Sequence, residues 1–280
     1  MFYFDNIKGK KILKSSVLIE FEPNFQHFFT TKESFIKTND PKLENAANSN
    51  LETVLNHIGA NRENFFKIKQ THSTNIVICP EKPALNKENK DTDKSKPPEI
   101  FNDTDGIILH KADTATVLHF ADCTPVLLYD PKNHTAAGLH AGWRGTAGAI
   151  SRKGVSLMKK EFNSNPKDII AVIGPCIGQE DFESGMEVYE ALKNTVQNQE
   201  GLFKFKETPE GKLTGSLLVN SDSAKSFPDL AKINAVQLME EGVKTVDICH
   251  FKTYRNNDIL FSYRRENKTT NRISMVLKLG

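Results

Sequence analysis

Three short segments of this chain each place a metal-competent side chain in a turn or at the end of an apolar run. They are Gln70-Thr71-His72, Ala121-Asp122-Cys123 and Leu139-His140-Ala141. Positions 72, 123 and 140 are too far apart for zinc-finger spacing, so residue type and setting carry the reading. Two imidazoles and a thiolate suit a borderline-soft ion such as zinc, and three protein ligands leave a fourth position for water or substrate. Cys123 stands between an acid and Thr124-Pro125; His140 opens a Gly-flanked turn holding the only Trp, Trp143, and a rare Arg, Arg144. The same atoms permit another chemistry, with Cys123 as nucleophile, His140 or His72 as its base and Asp122 as orienter. A plain structural reading also exists, since a lone buried Cys is commonly inert core. Residue order leaves all three open.

Arginine usage is a second signal. Only seven of the 37 basic residues are Arg, and four of them are Arg144, Arg264, Arg265 and Arg272. A planar guanidinium grips a carboxylate or phosphate with two parallel donors, which Lys cannot do. Structural ion pairs are the bland alternative. Among the remaining histidines only His119, in a strand-like run, has a setting suited to core or support. A closed structural zinc site would have to recruit a fourth ligand such as His119 or Cys176.

These residues must be positioned by short elements. Phe65–Lys69 and Ile76–Cys79 read as strands around the turn carrying His72, and Ile107–Leu109, Thr116–Phe120, Val126–Tyr129 and Thr135–Leu139 read as four more. A strand is predicted at Val17–Phe21 and helices at Asn50–Ile58, Thr146–Phe162, Gly185–Val196 and Leu230–Glu241. Ile169–Ile173 reads as a buried strand, and Ile259–Arg265 and Ile273–Leu279 as two final ones. Residues 80–104 are polar and rich in Lys, Asp and Pro, which predicts a surface insertion without chemistry. One α+β domain over residues 1–280 is the economical reading; a split near 200 is the weaker one.

The chain has 280 residues, 38% hydrophobic and 26% charged, with a net charge of +2. That balance excludes a basic nucleic-acid arm, an acidic tail and a mainly disordered chain. No apolar run approaches the roughly 18 residues of a membrane span. No cleavable signal pattern is present, and the four cysteines lack any CxxC pair. The sequence therefore predicts a soluble, cytoplasmic protein, a monomer or small homo-oligomer, with neither nucleic acid nor membrane as partner.

The stretch ADCTPVLLYDPKNHTAAGLHAGWRGTAGAI, residues 121–150, resembles the YfiH-type laccase-domain family. The resemblance extends to Gln70-Thr71-His72, to residues 173–178 and to Phe261-Ser262-Tyr263-Arg264-Arg265, and so spans about residues 20–280. It implies one α+β domain with layered mixed β-sheets flanked by helices, and one zinc ion held by His72, Cys123 and His140, which are also the catalytic residues. It implies phosphorolysis of adenosine, inosine, guanosine and S-methyl-5'-thioadenosine, with adenosine deamination at the same centre. Purine nucleosides and phosphate would be its partners, with Arg144 and Arg264 as candidates for phosphate, Asp122 for orienting a ligand, and Trp143 or Tyr263 for stacking on the purine. The sequence departs from the family pattern at Lys32, where an Arg is usual, at Asn271 in Thr270-Asn271-Arg272, where Gly is usual, and at Lys252 before Thr253. The family's older description implies a rival, copper-dependent polyphenol oxidation. One Cys and scattered His do not readily furnish a blue-copper site plus a trinuclear cluster. A cysteine hydrolase using Cys123 and His140, and a non-catalytic zinc module, remain the other rivals.

Overall fold

The computed structural model describes residues 1–60, 62–80, 100–206 and 224–280. Among these residues the strands form three sheets. The first runs in the order β1 (Phe2–Ile7), β2 (Lys10–Ser15), β3 (Phe25–Thr30), β16 (Ile273–Leu279), β8 (Ala115–Phe120), β4 (Phe65–Ile68) and β6 (Ile100–Phe101). The second runs β15 (Thr245–Ile248), β11 (Ile170–Ile173), β9 (Thr124–Asp130), β10 (Thr135–Ala141), β7 (Gly106–Leu109) and β5 (Ile76–Ile78). Both mix parallel and antiparallel pairs. A small third sheet joins β12 (Ser184–Gly185), β14 (Lys225–Pro228) and β13 (Phe203–Lys206). The helices are α1 (Glu44–Ile58), α2 (Trp143–Ala147), α3 (Ile150–Phe162), α4 (Met186–Lys193) and α5 (Leu230–Glu240).

The two-residue period of the strands sorts their side chains into layers. Along β9, Leu127 and Tyr129 pack with Leu118, Phe120 and Leu277 of the first sheet. Val126 and Leu128, facing the other way, pack on Ile150 and Met158 of α3 and Ala235 and Leu238 of α5. Beyond the first sheet, Phe28, Val117 and Val276 pack on Val54, Leu55 and Ile58 of α1. The layers are therefore helix, sheet, sheet, helix, as the α+β reading expects. Strands covered on both faces are apolar throughout, and β9, β10 and β16 are buried at every residue. The two sheets come close at Gly138, where a Cβ would lie 2.8 Å from Leu118 and 3.1 Å from Leu277.

Several expected elements differ. Val17–Phe21 lies in a 3-10 turn, Ser16–Phe21, that drops Leu18 into the core and leaves Ile19 exposed; its apolar residues plug a connection instead of joining a ladder. The helix expected over Thr146–Phe162 is two helices, because Ala149 adopts a left-handed conformation (φ 55°) between them. Ile259–Arg265 forms turns, although Leu260, Phe261 and Ser262 are buried. The strands β1, β2 and β3 were not legible in the first 30 residues. Within the expected insertion, Ile100 and Phe101 pair with β4, and Asp103 accepts hydrogen bonds from Thr71 and Asn75, so this end supports the His72 turn. Residues 81–99 of that insertion lie outside the described residues. No described helix is long and apolar enough to cross a membrane.

Candidate metal centre

Two chain crossings and one strand end meet at one mouth of the stacked sheets. His72 lies on the crossing from β4 in the first sheet to β5 in the second, and Cys123 on the crossing from β8 to β9. Both crossings are tight: His72 has φ 65° and its counterpart Asp122 has φ 81°. Left-handed backbone at residues other than Gly is uncommon and clusters at functional sites. His140 is near the end of β10. Ala137, Leu139 and Ala141 face α3, so the pleat turns His140 inward, where its ring lies 5.3 Å from that of Phe120. Gly142 follows, and a Cβ there would sit 3.0 Å from the Cys123 Sγ and 3.2 Å from the His72 ring. A side chain at this position would crowd the cluster.

Asp105, not singled out from the sequence, organises the site. Leu139 pairs with Gly106 across β10 and β7, so the next positions, His140 and Asp105, stand side by side. The fully buried Asp105 carboxylate sits 2.7 Å from His140 Nδ1 through Oδ1, which also accepts the His72 N–H at 3.1 Å. Its Oδ2 accepts the N–H groups of Thr71 (3.0 Å) and Ser73 (2.7 Å) and the Ser73 hydroxyl (2.8 Å). Burial works against the charge, but the hydrogen bonds from His140, Thr71 and Ser73 hold this carboxyl well below the usual range. An ionised acceptor at Nδ1 puts the proton there and leaves Nε2 of His140 as the ligand nitrogen. Gln70 clamps the same turn to β8: its amide accepts from the His119 N–H and donates to the His119 carbonyl, both at 2.8 Å.

The ligand atoms of His72, Cys123 and His140 all lie within 4.8 Å of one another, and among the described residues they form the one such group. Cys123 Sγ is 3.8 Å from His72 Nε2. Sulfur and nitrogen on one tetrahedral zinc stand about 3.6 Å apart, so this donor set fits a single ion with little movement. Burial alone would raise the Cys123 thiol; the neighbouring His140, and then His72, outweigh it and bring it down to about 6. Burial likewise opposes charge on His140, but the Cys123 thiolate and the Asp105 carboxylate push it up to about 9. Neither His119 nor Cys176 joins the cluster. His119 Nδ1 meets Ser274 Oγ at 2.8 Å and burial depresses the ring to about 3; the buried Cys176 thiol is pushed up to about 11.

The remaining sequence candidates are placed as follows. Asp122 does not orient either imidazole. Its Oδ1 accepts the Thr253 hydroxyl and its Oδ2 the Arg264 N–H at 2.8 Å, which ties two late loops to the Cys123 turn. The Arg264 guanidinium donates to the carbonyls of Asp181 (3.1 Å) and Glu183 (2.7 Å), while exposed Arg144 lies over the Trp143 ring at 4.2 Å. Trp143 packs against the α4 and α5 cluster, and Lys32 pairs with Glu266 at 2.7 Å. Tyr263 is 43% exposed.

Residues 34–279 match the family described as multi-copper polyphenol oxidoreductase laccase. The chain is 29% identical over 272 residues to a Clostridium acetobutylicum protein named purine nucleoside phosphorylase, covering 96% of this chain and 98% of that one. It is 31% identical over 198 residues to a Bacteroides thetaiotaomicron protein of the same name, covering 70% of this chain and 66% of that one. The fold is that of the Bacillus licheniformis hypothetical protein YfiH, with a TM-score of 0.79 over 99% of both chains at 23% identity.

Proposed function

The chain belongs to the multi-copper polyphenol oxidoreductase laccase family, and from that membership we propose that it is a zinc-dependent purine nucleoside phosphorylase. The observation that carries this reading is the convergence of His72, Cys123 and His140, three donors of mixed nitrogen and sulfur character, at an open mouth of the sheets. Such a set suits zinc, and a multi-copper oxidase would need several further His ligands. Adenosine, inosine, guanosine and S-methyl-5'-thioadenosine are the proposed substrates, with adenosine deamination at the same centre. The relatives' names support the phosphorolytic part.

When bound, the ion would supply positive charge that orients phosphate or lowers the pKa of water. The protein's own work is positional. Asp105 fixes the His140 tautomer and the His72 turn, and Gly142 leaves room beside the sulfur. The exposed Tyr263 ring offers a face to the departing purine. Holding the nucleoside and phosphate in line replaces a bimolecular encounter with a positioned one. The decisive measurement combines metal analysis with product analysis of inosine turnover. We expect about one zinc per chain, ribose 1-phosphate formed only when phosphate is present, loss of activity on chelation and recovery on added zinc. A demonstrably zinc-free sample that still turns over inosine at the full rate overturns the reading.

A second reading is favoured by one observation: Asp105, His140 and Cys123 follow one another like the acid, base and nucleophile of a thiol hydrolase. Alkylation of the metal-free protein bears on it. Cys123 should react alone, at a rate that rises with pH through a midpoint near 6, because Cys79, Cys176 and Cys249 are all buried and burial pushes the last two thiols up to about 11 and 12. Zinc should suppress the labelling. Equal labelling of zinc-loaded and zinc-free protein would mean that the sulfur is not a ligand.

A further inference from the structure

Arg272 differs from the other arginines near the site. Ile273, the first residue of β16, pairs with Phe120, the last of β8. Arg272, one residue earlier, is therefore level with Ala121 and beside the Asp122-Cys123 turn. Its N–H is held by the Lys37 carbonyl at 3.1 Å, and its Nη1 donates to the carbonyls of Thr269 and Asn271. Those bonds fix the guanidinium and leave Nε and Nη2 without an acceptor among the described residues. The group is half-buried, lies 5.9 Å from the centre of the Tyr263 ring, and has a charge felt at Cys123, Tyr263 and Asp122.

No carboxylate pairs with it among the described residues. Arg152 has Glu240 and Glu241, and the exposed Arg255 has Asp181. Asp122 is the nearby acid, but both its oxygens are engaged, by Thr253 and by the Arg264 N–H. A guanidinium held partly out of water without a carboxylate in direct contact leaves its open edge to be satisfied by a ligand. The open Nε and Nη2 edge has the spacing of two oxygens of a tetrahedral oxyanion. Arg144 lies on the surface over Trp143, and Arg264, whose Nη1 is likewise shared by two carbonyls, is exposed where Arg272 is half-buried.

We propose that Arg272, with Tyr263 beside it, is the residue that grips inorganic phosphate next to the His72–Cys123–His140 cluster, in place of Arg144 or Arg264. The role rests on the phosphorolytic reading, because neutral nucleosides carry no anion for this fork to hold.

Binding of inorganic phosphate to the zinc-loaded enzyme, measured by calorimetry without nucleoside, tests it alongside steady-state kinetics. Arg272→Gln should weaken phosphate binding and raise the phosphate KM by about tenfold or more, the loss expected for a charge-assisted pair. The nucleoside KM, zinc content and melting temperature should stay near wild type. Arg272→Lys keeps the charge without the fork and should fall between the two; it carries the comparison if the Gln variant fails to fold. An unchanged phosphate affinity in Arg272→Gln, or a rise in nucleoside KM alone, overturns the assignment. If the wild type binds phosphate through Arg272 yet forms no ribose 1-phosphate, the phosphorylase reading falls and the anion site stands. If the wild type is a phosphorylase and Arg272→Gln keeps its phosphate KM, the anion site falls alone.

Discussion

Cys123→Ser is expected to lose its zinc and to lower phosphorolysis and deamination together, each by more than about 100-fold. Even partners outside the ligand shell of a metal commonly change affinity or activity by about 10–100-fold, so losing a ligand should exceed that range. The serine hydroxyl is a poor donor to a borderline-soft ion, whereas the sulfur it replaces lies 3.8 Å from His72 Nε2 and is drawn toward the thiolate form by His140. Fold should be retained, because Cys123 is only partly buried and supplies little apolar packing. The parallel loss is the discriminating feature, since two reactions that share one ion must fail together. Phosphorolysis persisting in a Cys123→Ser protein with full zinc content would remove the sulfur from the ligand set.

The three donors were legible in the sequence because each sits at an irregular place between regular runs: His72 and Cys123 in crossings, His140 beside a Gly-rich turn. Their meeting was not legible, since it depends on which strands stack. Asp105 shows the limit most clearly. It is one acid among 35 acidic residues, standing before the apolar run Gly106–Leu109. Only the pairing of β7 with β10 sets it beside His140, and nothing local announces that register. Arg272 was noticed as a rare Arg, but its half-buried setting comes from the junction of β16 with the Asp122 turn. Strands buried on both faces, such as β9 and β10, were readable from continuous apolar character. The N-terminal strands β1 and β2 carry Asp5, Lys10, Lys11 and Lys14 among their apolar residues, which blurs the pattern.

Asp105→Asn is expected to weaken zinc binding by about 10–100-fold and to destabilise the metal-free protein by about 3 kcal/mol, the scale for removing one partner of a buried charged pair. The substitution preserves shape and changes only what each atom can do. The carboxylate accepts from the backbone of Thr71, His72 and Ser73, from the Ser73 hydroxyl and from His140 Nδ1. An amide has one accepting oxygen, and its NH2 must then face donors. If the amide oxygen stays with His140, the N–H groups of Thr71 and Ser73 meet the NH2, and the His72 turn loosens. With the amide reversed, the imidazole loses its acceptor at Nδ1 and with it the tautomer that presents Nε2. Either orientation damages the cluster, so zinc titration should report the defect before any activity is assayed. The pH dependence gives a second, independent readout. A carboxyl whose folded pKa is depressed stabilises the fold above its unfolded pKa, about 3.9, and that contribution is lost as pH falls through the folded value. The stability gap between wild type and Asp105→Asn should therefore be full from about pH 4 to neutrality, shrink below that range, and shrink again as pH rises through the His140 value near 9. Equal zinc affinity and equal melting temperatures at pH 7 would show that this carboxylate holds neither histidine in place.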